Sequence, residues 1–466
     1  MVDVILIRPI SASSDEESYM RYLTIPHGPL TLAAHLVAES VSVRIIDEVA
    51  ESDPQGTLLE SLKNRPACVG ISSMTGRQIE NGLRFAAIVR SYDKNIPIVW
   101  GGAHPTLLPL LTLQDPFVDI VVYGEGDISF PLLVERLKNR ENYADVAGIC
   151  FKTKDSELVT NPPSPRYDMN DTPAIPYDLI DMEKYITGIK KRDITRYFEV
   201  VTSKGCPYRC AFCSNSINPS AYAKKDTEKI IDEIRVLVDK YHIDGLGFSD
   251  ENFILNRERM NDLCSELLRA DFKLHIRAGG RIDLFSRLDD ATLGLIKKAG
   301  FYHFGFGVES GSEKTLGMIN KNITLEQVYD VVGKIKSNGF QATYNFMGGF
   351  PGEEIREYKR TLELMYYIFE NSKAVIYPIN GPKCFTPFPG AALFYEATKR
   401  GYCEPRTFRE WSGIDYNNEK LPWIDEECRD LIVRSKGIVN EINRKFSGES
   451  ARVCSEDLDN LRQIMR

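Results

Sequence analysis

Cys206, Cys210 and Cys213 stand in the run Ser203-Lys204-Gly205-Cys206-Pro207-Tyr208-Arg209-Cys210-Ala211-Phe212-Cys213, which sets three thiols on one short loop with no fourth nearby. Thiolates select iron-sulfur clusters among metal centres, and three ligands for a four-iron cluster leave one iron without a protein ligand. An open iron can bind a small molecule directly, so the spacing describes a site for chemistry and not simple electron storage. A zinc loop usually needs a fourth Cys or His at similar spacing, and none is present.

Elements that could hold such a loop are visible on both sides of it. Residues 1 to about 140 alternate apolar runs with amphipathic stretches. Val4 to Ile7, Val43 to Ile46, Cys68 to Ile71, Ile98 to Trp100 and Ile120 to Val122 read as strands, with helix patterns such as Pro29 to Ala38 and Ile79 to Ser91 between them. This alternation predicts a doubly wound parallel sheet, whose ligands bind outside the carboxyl ends of the strands. The loops there read Pro26-His27-Gly28-Pro29, Ser72-Ser73-Met74-Thr75-Gly76, Gly101-Gly102-Ala103-His104-Pro105-Thr106 and Gly124-Glu125-Gly126-Asp127. Small residues at these points admit a large flat ligand close to the backbone.

Residues 141 to 194 are proline-rich and weakly periodic, and read as a linker with one short helix over Ile180 to Ile186. From about 195 to 390 strand-helix alternation resumes. Phe198 to Thr202 suits a first barrel strand, and the cysteine loop follows it directly, where parallel barrels carry their catalytic groups. Asp226 is placed to cap a helix, and Thr324 with Gln327 forms a capping box for a helix closed by Gly339. Residues 391 to 466 carry helical patterns, including Glu426 to Phe446. Cys384, Cys403, Cys428 and Cys454 in or near this tail lack CxxC spacing and read as small buried hydrophobes.

The bulk numbers narrow the class. With 466 residues there is room for two or three domains, each with its own core. A net charge of -8 with no Lys/Arg block argues against nucleic acid as the main partner. The opening run Val4 to Ile7 is too short for a signal peptide or a membrane span and reads as a buried strand. The ten cysteines, scattered outside the loop, fit a reducing cytoplasm and not a disulfide framework.

The cysteine loop resembles that of the radical S-adenosylmethionine (SAM) enzymes, and further segments extend the resemblance. Gly247-Phe248-Ser249-Asp250-Glu251-Asn252 is similar to the family segment that meets SAM's amino group, although the usual Gly-Gly-Glu is not spelled out; Ser249, Asp250 and Glu251 are the candidates. Gly305-Phe306-Gly307-Val308-Glu309-Ser310-Gly311 matches the family's Gly-x-Glu-Ser-Gly. The match implies that Glu309 and Ser310 hold the ribose or the methionyl group, with Arg277 and Arg281 meeting the carboxylate. The turn with Gly348 and Gly349 resembles the adenine-side turn, and Phe212 adds a second apolar contact. Thr386-Pro387-Phe388-Pro389-Gly390 resembles the turn after a sixth strand. The family's cofactors are then expected: a [4Fe-4S] cluster on Cys206, Cys210 and Cys213, and SAM chelated to the open iron and cleaved by one electron to a 5′-deoxyadenosyl radical. Structural ion pairs at a barrel rim are the other reading of the Glu and Arg residues.

The N-terminal loops resemble the cobalamin-binding domain that precedes the barrel in one large class of these enzymes, best at Ser72-Ser73, Gly101-Gly102 and Gly124-Glu125-Gly126. No Asp-x-His-x-x-Gly follows the early strands, so no histidine ligand to cobalt is expected; His104 is placed to flank a corrin tail, or is a surface residue. A flavodoxin-like scaffold that binds no corrin is the alternative. The fold class expected is α/β: an N-terminal doubly wound Rossmann-like domain of the cobalamin-binding type (1–140), a linker (141–194), a partial (βα)6 radical SAM barrel (195–390) and a small, mostly helical C-terminal region (391–466). The resemblance implies cobalamin-dependent methyl transfer to a small-molecule biosynthetic intermediate. The alternative is a dehydratase, cyclase or rearrangement enzyme whose cobalamin-like domain is empty or used without net methylation. Expected partners are a small-molecule substrate and an electron donor such as flavodoxin or ferredoxin, with no nucleic acid and no membrane. No single residue is singled out as catalytic.

Overall fold

The computed structural model describes residues 2–11, 24–189, 194–216, 222–372, 378–414, 420–447 and 455–465. They form two compact units, one of residues 1–187 with 404–415, the other of residues 188–403 with 416–466.

In the first unit β1 (Val4–Arg8), β2 (Val43–Asp47), β3 (Cys68–Ser72), β4 (Ile98–Gly101) and β5 (Ile120–Val122) run parallel in the order β2-β1-β3-β4-β5. The strands are continuous apolar runs because helices such as His27–Ala38 and Arg77–Tyr92 are built between them; Val4, Ile5, Ile7, Val69, Ile98 and Trp100 are completely buried. Strand order reverses between β1 and β3, the switch point beside which such a sheet takes its ligand. The stretch expected as a linker instead supplies β6 (Ile149–Lys152) and β7 (Leu158–Thr160), which extend the sheet antiparallel beyond β5. Runs of four and three residues beside Pro162 and Pro163 carry too little periodicity to announce themselves. The short helix expected over 180–186 is a single turn, Met182–Tyr185, whose Tyr185 hydroxyl donates to Asp47 at 2.5 Å.

The second unit contains β8 (Thr187–Ile189), β9 (Ile194–Val200), the hairpin pair β10 (Ser203–Lys204) and β11 (Ala223–Lys224), then β12 (Gly245–Phe248), β13 (His275–Arg281), β14 (Phe301–Glu309), β15 (Gln341–Gly348) and β16 (Ile379–Cys384). Strands β9 and β12 to β16 are parallel in sequence order, a six-stranded partial barrel with β8 at its edge. Burial alternates along the central strands. Phe304, Phe306, Val308, Ala342, Tyr344 and Phe346 are buried, and Phe304 packs on Phe285 of the helix Ile282–Phe285 at 5.0 Å between ring centroids. Each such ring burial contributes about 2 kcal/mol. The residues between them, Gly305, Gly307, Thr343 and Asn345, keep solvent access. Because strand side chains alternate, one face of this sheet is packed and the other is open, lined by glycines and polar groups.

Helix punctuation follows the sequence. Thr324 and Gln327 make a reciprocal capping box and Gly339 ends that helix left-handed; Asp226 takes the N-cap position of Thr227–Tyr241 without a capping bond from its side chain. The tail belongs to the second unit: helix Glu426–Ser447 packs on β16, Ser435 bonds the Tyr358 hydroxyl at 2.7 Å, and Asn443 donates to the Ile379 carbonyl at 2.6 Å. Cys384 and Cys428 are buried there and Cys403 is exposed; Cys454 lies outside the described residues. No helix among the described residues is long and apolar enough to cross a membrane.

Candidate functional site

The cysteine loop is clamped at both ends before any metal is considered. At its start, Asp250 from the end of β12 accepts the Thr202 N–H, the Thr202 hydroxyl and the Ser203 hydroxyl, each at 2.6 Å. Arg259 closes this knot, donating to the Thr202 hydroxyl at 2.9 Å and to the Tyr222 hydroxyl. The β10–β11 pair then fixes Lys204, and Gly205 turns the chain with φ 77°. At the far end Ala211 donates its N–H to the Ile319 carbonyl and accepts from Leu393, at 2.8 and 2.9 Å, while Asn320 holds the Arg209 carbonyl at 2.6 Å.

Two buried cations face the thiols. Arg281 points Nη1 at the Cys210 sulfur at 3.7 Å, lays its guanidinium 3.6 Å from the Tyr208 ring centroid, and spends its other donors on Asp283 (2.8 Å) and the Lys321 carbonyl (2.5 Å). Lys321 pairs with Glu309 at 2.8 Å and lies 5.8 Å from the Phe212 ring centroid. Burial raises the pKa of Cys206 and Cys213, and the neighbouring thiols raise it further. Backbone N–H groups at Tyr208 and Asn215, with Arg281 and Lys321, act in the opposite direction. The cations therefore favour thiolate, the form that binds iron. Among the described residues no three His, Cys, Asp or Glu side chains converge on a point that would hold a single metal ion. A cuboidal cluster offers each thiolate a separate iron, which suits three thiols spread along a loop and flanked by positive charge.

The expected SAM residues divide by environment. Asp250, fully engaged with Thr202 and Ser203, and Arg281, fully engaged at the loop, shape the loop itself. Ser310 is completely buried and bonded to Thr361 at 2.9 Å, so it secures the turn after β14. Glu251 stands beside Cys206 in reach of solvent, yet protein crowds its carboxyl: desolvation raises its pKa against the pull of its own N–H and that of Gly205. Glu309 is buried at φ 73°, where β14 and β15 shift register, a bulge that re-aims the residue toward Lys321. Ser249 donates to Glu199 at 2.7 Å, and Arg277 lies on the open face of the sheet over Tyr197. In the turn after β15 a Cβ at Gly348 would meet the Tyr358 ring at 2.4 Å, and Gly349 has φ 74°. Glu353 accepts the N–H groups of Gly349 and Phe350 at 2.8 and 3.3 Å, and Phe350 sits 6.1 Å from Phe212, ring to ring. Lys321, Arg259 and Glu199 were not singled out from sequence, since none forms a motif and Lys321 stands more than a hundred residues beyond the loop; Glu353 entered only as the last residue of the segment that resembles the adenine-side turn.

The glycines at the strand ends of the first unit form a cradle. A Cβ at Gly102 (φ 96°) would lie 2.8 Å from the Ser73 carbonyl oxygen and 2.9 Å from the Ser72 hydroxyl, whereas one at Gly28 or Gly124 would meet nothing within 4 Å and one at Gly101 nothing nearer than 3.5 Å. Glu125 follows at the start of the helix Gly126–Asn139. The Ser73 hydroxyl is buried with no hydrogen-bond partner among the described residues, as is Nε2 of His104. His104 is not at the surface: it is completely buried, its Nδ1 3.0 Å from the Thr75 hydroxyl, with Phe408 and Trp411 5.6 and 5.7 Å away by ring centroids. Burial lowers its pKa to about 4, so the imidazole is neutral. Open backbone at β4 and β5 and an unsatisfied hydroxyl beside it fit a large ligand with polar edges, as cobalamin is.

Comparison with known proteins bears on both sites. The model of the radical SAM superfamily matches residues 200–365, and that of the B12 binding domain matches residues 20–134. An uncharacterized methyltransferase of Pyrococcus horikoshii is 30% identical over 406 residues, 86% of this chain and 85% of that protein. The anaerobic magnesium-protoporphyrin IX monomethyl ester cyclase of Rubrivivax gelatinosus is 28% identical over 337 residues, 71% of this chain and 58% of the cyclase. Among solved structures, the cobalamin-dependent SAM radical enzyme OxsB, with aqua-cobalamin and SAM bound, shares the fold with a TM-score of 0.74 at 17% identity, over 99% of this chain and 70% of that one.

Proposed function

This chain belongs to the radical SAM superfamily, in the class that carries a cobalamin-binding domain, and from that membership we propose methyl transfer to a small molecule as its reaction. The observation that carries the reading is the presence, on one chain, of a clamped three-thiol loop and a separate glycine-lined sheet end with unsatisfied polar atoms. Cys206, Cys210 and Cys213 would hold the [4Fe-4S] cluster, which with SAM supplies a one-electron route to a 5′-deoxyadenosyl radical. The loops after β3, β4 and β5 would hold cobalamin, which supplies the methyl group.

The chain's own residues do four things. Asp250 and Arg259 fix the loop's entry, so the thiols are placed before iron arrives. Arg281 and Lys321 offset the negative charge gathered there, each with a carboxylate of its own to limit the cost of burial. Glu251, open beside Cys206, accepts from SAM's amino group. Glu353 holds the Gly349–Phe350 turn in the shape that receives the adenine. The electron comes from a small redox protein of the flavodoxin or ferredoxin type. Similarity to the cyclase supports a second reading, a radical reaction without net methylation.

Anaerobic reconstitution with iron, sulfide and hydroxocobalamin, followed by desalting and metal analysis, tests the proposal. Near-stoichiometric cobalt beside a filled cluster is expected; an intact cluster without cobalt overturns methyl transfer and leaves the second reading.

A further inference from the structure

We propose that the deeper rows of the barrel's open face form an anion subsite for the substrate, in which the Arg277 guanidinium takes a carboxylate or phosphate group. The proposal rests on the radical SAM reading and narrows its substrate to acid-bearing small molecules.

Register places the residues. Glu199, Gly247, Arg277, His303 and Gln341 are successive Cα partners across β9, β12, β13, β14 and β15. The next row toward the cluster is Gly279, Gly305 and Thr343, and the one after it Arg281, Gly307, Asn345 and Asn380. Arg281 touches Cys210, and Arg277 lies four residues earlier on the same strand, about 13 Å further from the loop at 3.3 Å per residue. That depth removes Arg277 from a SAM carboxylate chelated at the cluster and puts it where a second molecule would lie.

The row between is room. A Cβ at Gly305 would meet nothing within 4 Å, and one at Gly279 would meet only the Gly305 carbonyl oxygen, at 3.7 Å. Arg277 itself is half-buried, with its Cζ 5.6 Å from the Tyr197 ring centroid. It makes no hydrogen bond or ion pair among the described residues. The nearest carboxylate along the row, Glu199, is already occupied by the Tyr197 hydroxyl at 2.9 Å on one oxygen and by Ser249 at 2.7 Å on the other. A half-buried guanidinium with no hydrogen-bonded acceptor is left short of partners, and an arriving anion supplies them through a bidentate fork that a lysine lacks. The hydrogen-bonded pairs His303–Thr343 (3.0 Å) and Asn380–Asn345 (2.7 Å) line the same face and offer direction to a bound substrate. A substrate anchored this way holds its reacting carbon on the cluster side of the anion.

Calorimetric titration of the cluster-reconstituted full chain with malonate and with inorganic phosphate tests this. One-to-one binding of at least one probe is expected, weakened tenfold or more in Arg277→Gln and weakened less in Arg277→Lys. Malonate alone would assign a carboxylate, phosphate alone a phosphate. SAM's perturbation of the reduced cluster's EPR spectrum should survive in Arg277→Gln. No saturable binding of either probe to the wild type, unchanged binding in Arg277→Gln, or loss of the SAM effect, which would return Arg277 to the SAM carboxylate, each overturns the subsite. If Arg277→Gln loses its cluster, Arg277→Lys carries the test, and wild-type affinity there is the contrary result. Cobalt is assayed on the same preparations: anion binding without cobalt sinks methyl transfer alone, and cobalt without anion binding sinks the subsite alone.

Discussion

Arg281 is the residue that bears most directly on the proposed cluster, because it reaches the sulfur of Cys210, one of the three proposed ligands, and is itself buried. A positive charge and an N–H at a cluster thiolate favour the reduced state. Arg281→Gln should therefore shift the cluster's midpoint to more negative potential in an EPR-monitored redox titration, and an unmoved midpoint would refute that role. Asp250→Asn should lower iron content per chain, since it trades an acceptor of three hydrogen bonds for an amide whose NH2 opposes one of the donors. Glu353 reports on pH. Burial raises its pKa from 4.5 to about 7, against the N–H groups of Gly349 and Phe350 and the Thr315 hydroxyl. Between those values the folded chain keeps a proton that the unfolded chain has released, so this group's contribution to stability falls as pH rises, by about 3 kcal/mol in all. Glu353→Gln should flatten that slope between pH 5 and 8 in denaturant titrations; parallel curves would contradict it. At this scale the cysteine motif was legible because the three thiols are close in sequence, whereas Lys321 acquires its place only when the segment after the helix Glu313–Met318 packs against the loop.

At the level of elements, the strands of the first sheet could be read from apolar runs, with boundaries off by a residue or so for β1 to β5, whereas the first barrel strand, expected over Phe198–Thr202, runs Ile194–Val200 and the later barrel strands were placed by the family resemblance. What failed was short or discontinuous structure. Strands β6 and β7 sit at a sheet edge where few residues need be apolar, and residues 404–415 join the first unit across some two hundred residues of the second, which no local pattern encodes. That segment matters to stability: Trp411 is completely buried against His104, and Arg409 bonds Asp115 at 2.7 Å. Trp411→Ala should cost about 3–5 kcal/mol, seen by hydrogen exchange as lost protection in the helix Ala103–Leu107 and the turn before it, with β12 to β15 unchanged. Uniform loss across both sheets would contradict the assignment. The open face offers the complementary case. Gly305→Val enters empty space on a strand at ordinary backbone angles, so it should leave the melting temperature and cluster content near wild type while abolishing turnover.

Taken whole, the molecule joins two ligand-binding α/β units whose family models are both matched, and its chemistry depends on both being loaded in one preparation. The composition was informative about class and silent about substrate, since charge and hydropathy do not report which polar groups a sheet turns inward. The most direct measurement is the product ratio from SAM. Enzyme reconstituted with cluster and cobalamin, reduced anaerobically and given SAM with a cell-derived pool of acidic metabolites, should release both S-adenosylhomocysteine and 5′-deoxyadenosine, and Cys210→Ala should lose the latter. Release of 5′-deoxyadenosine alone, from protein that retains its cobalt, would contradict methyl transfer.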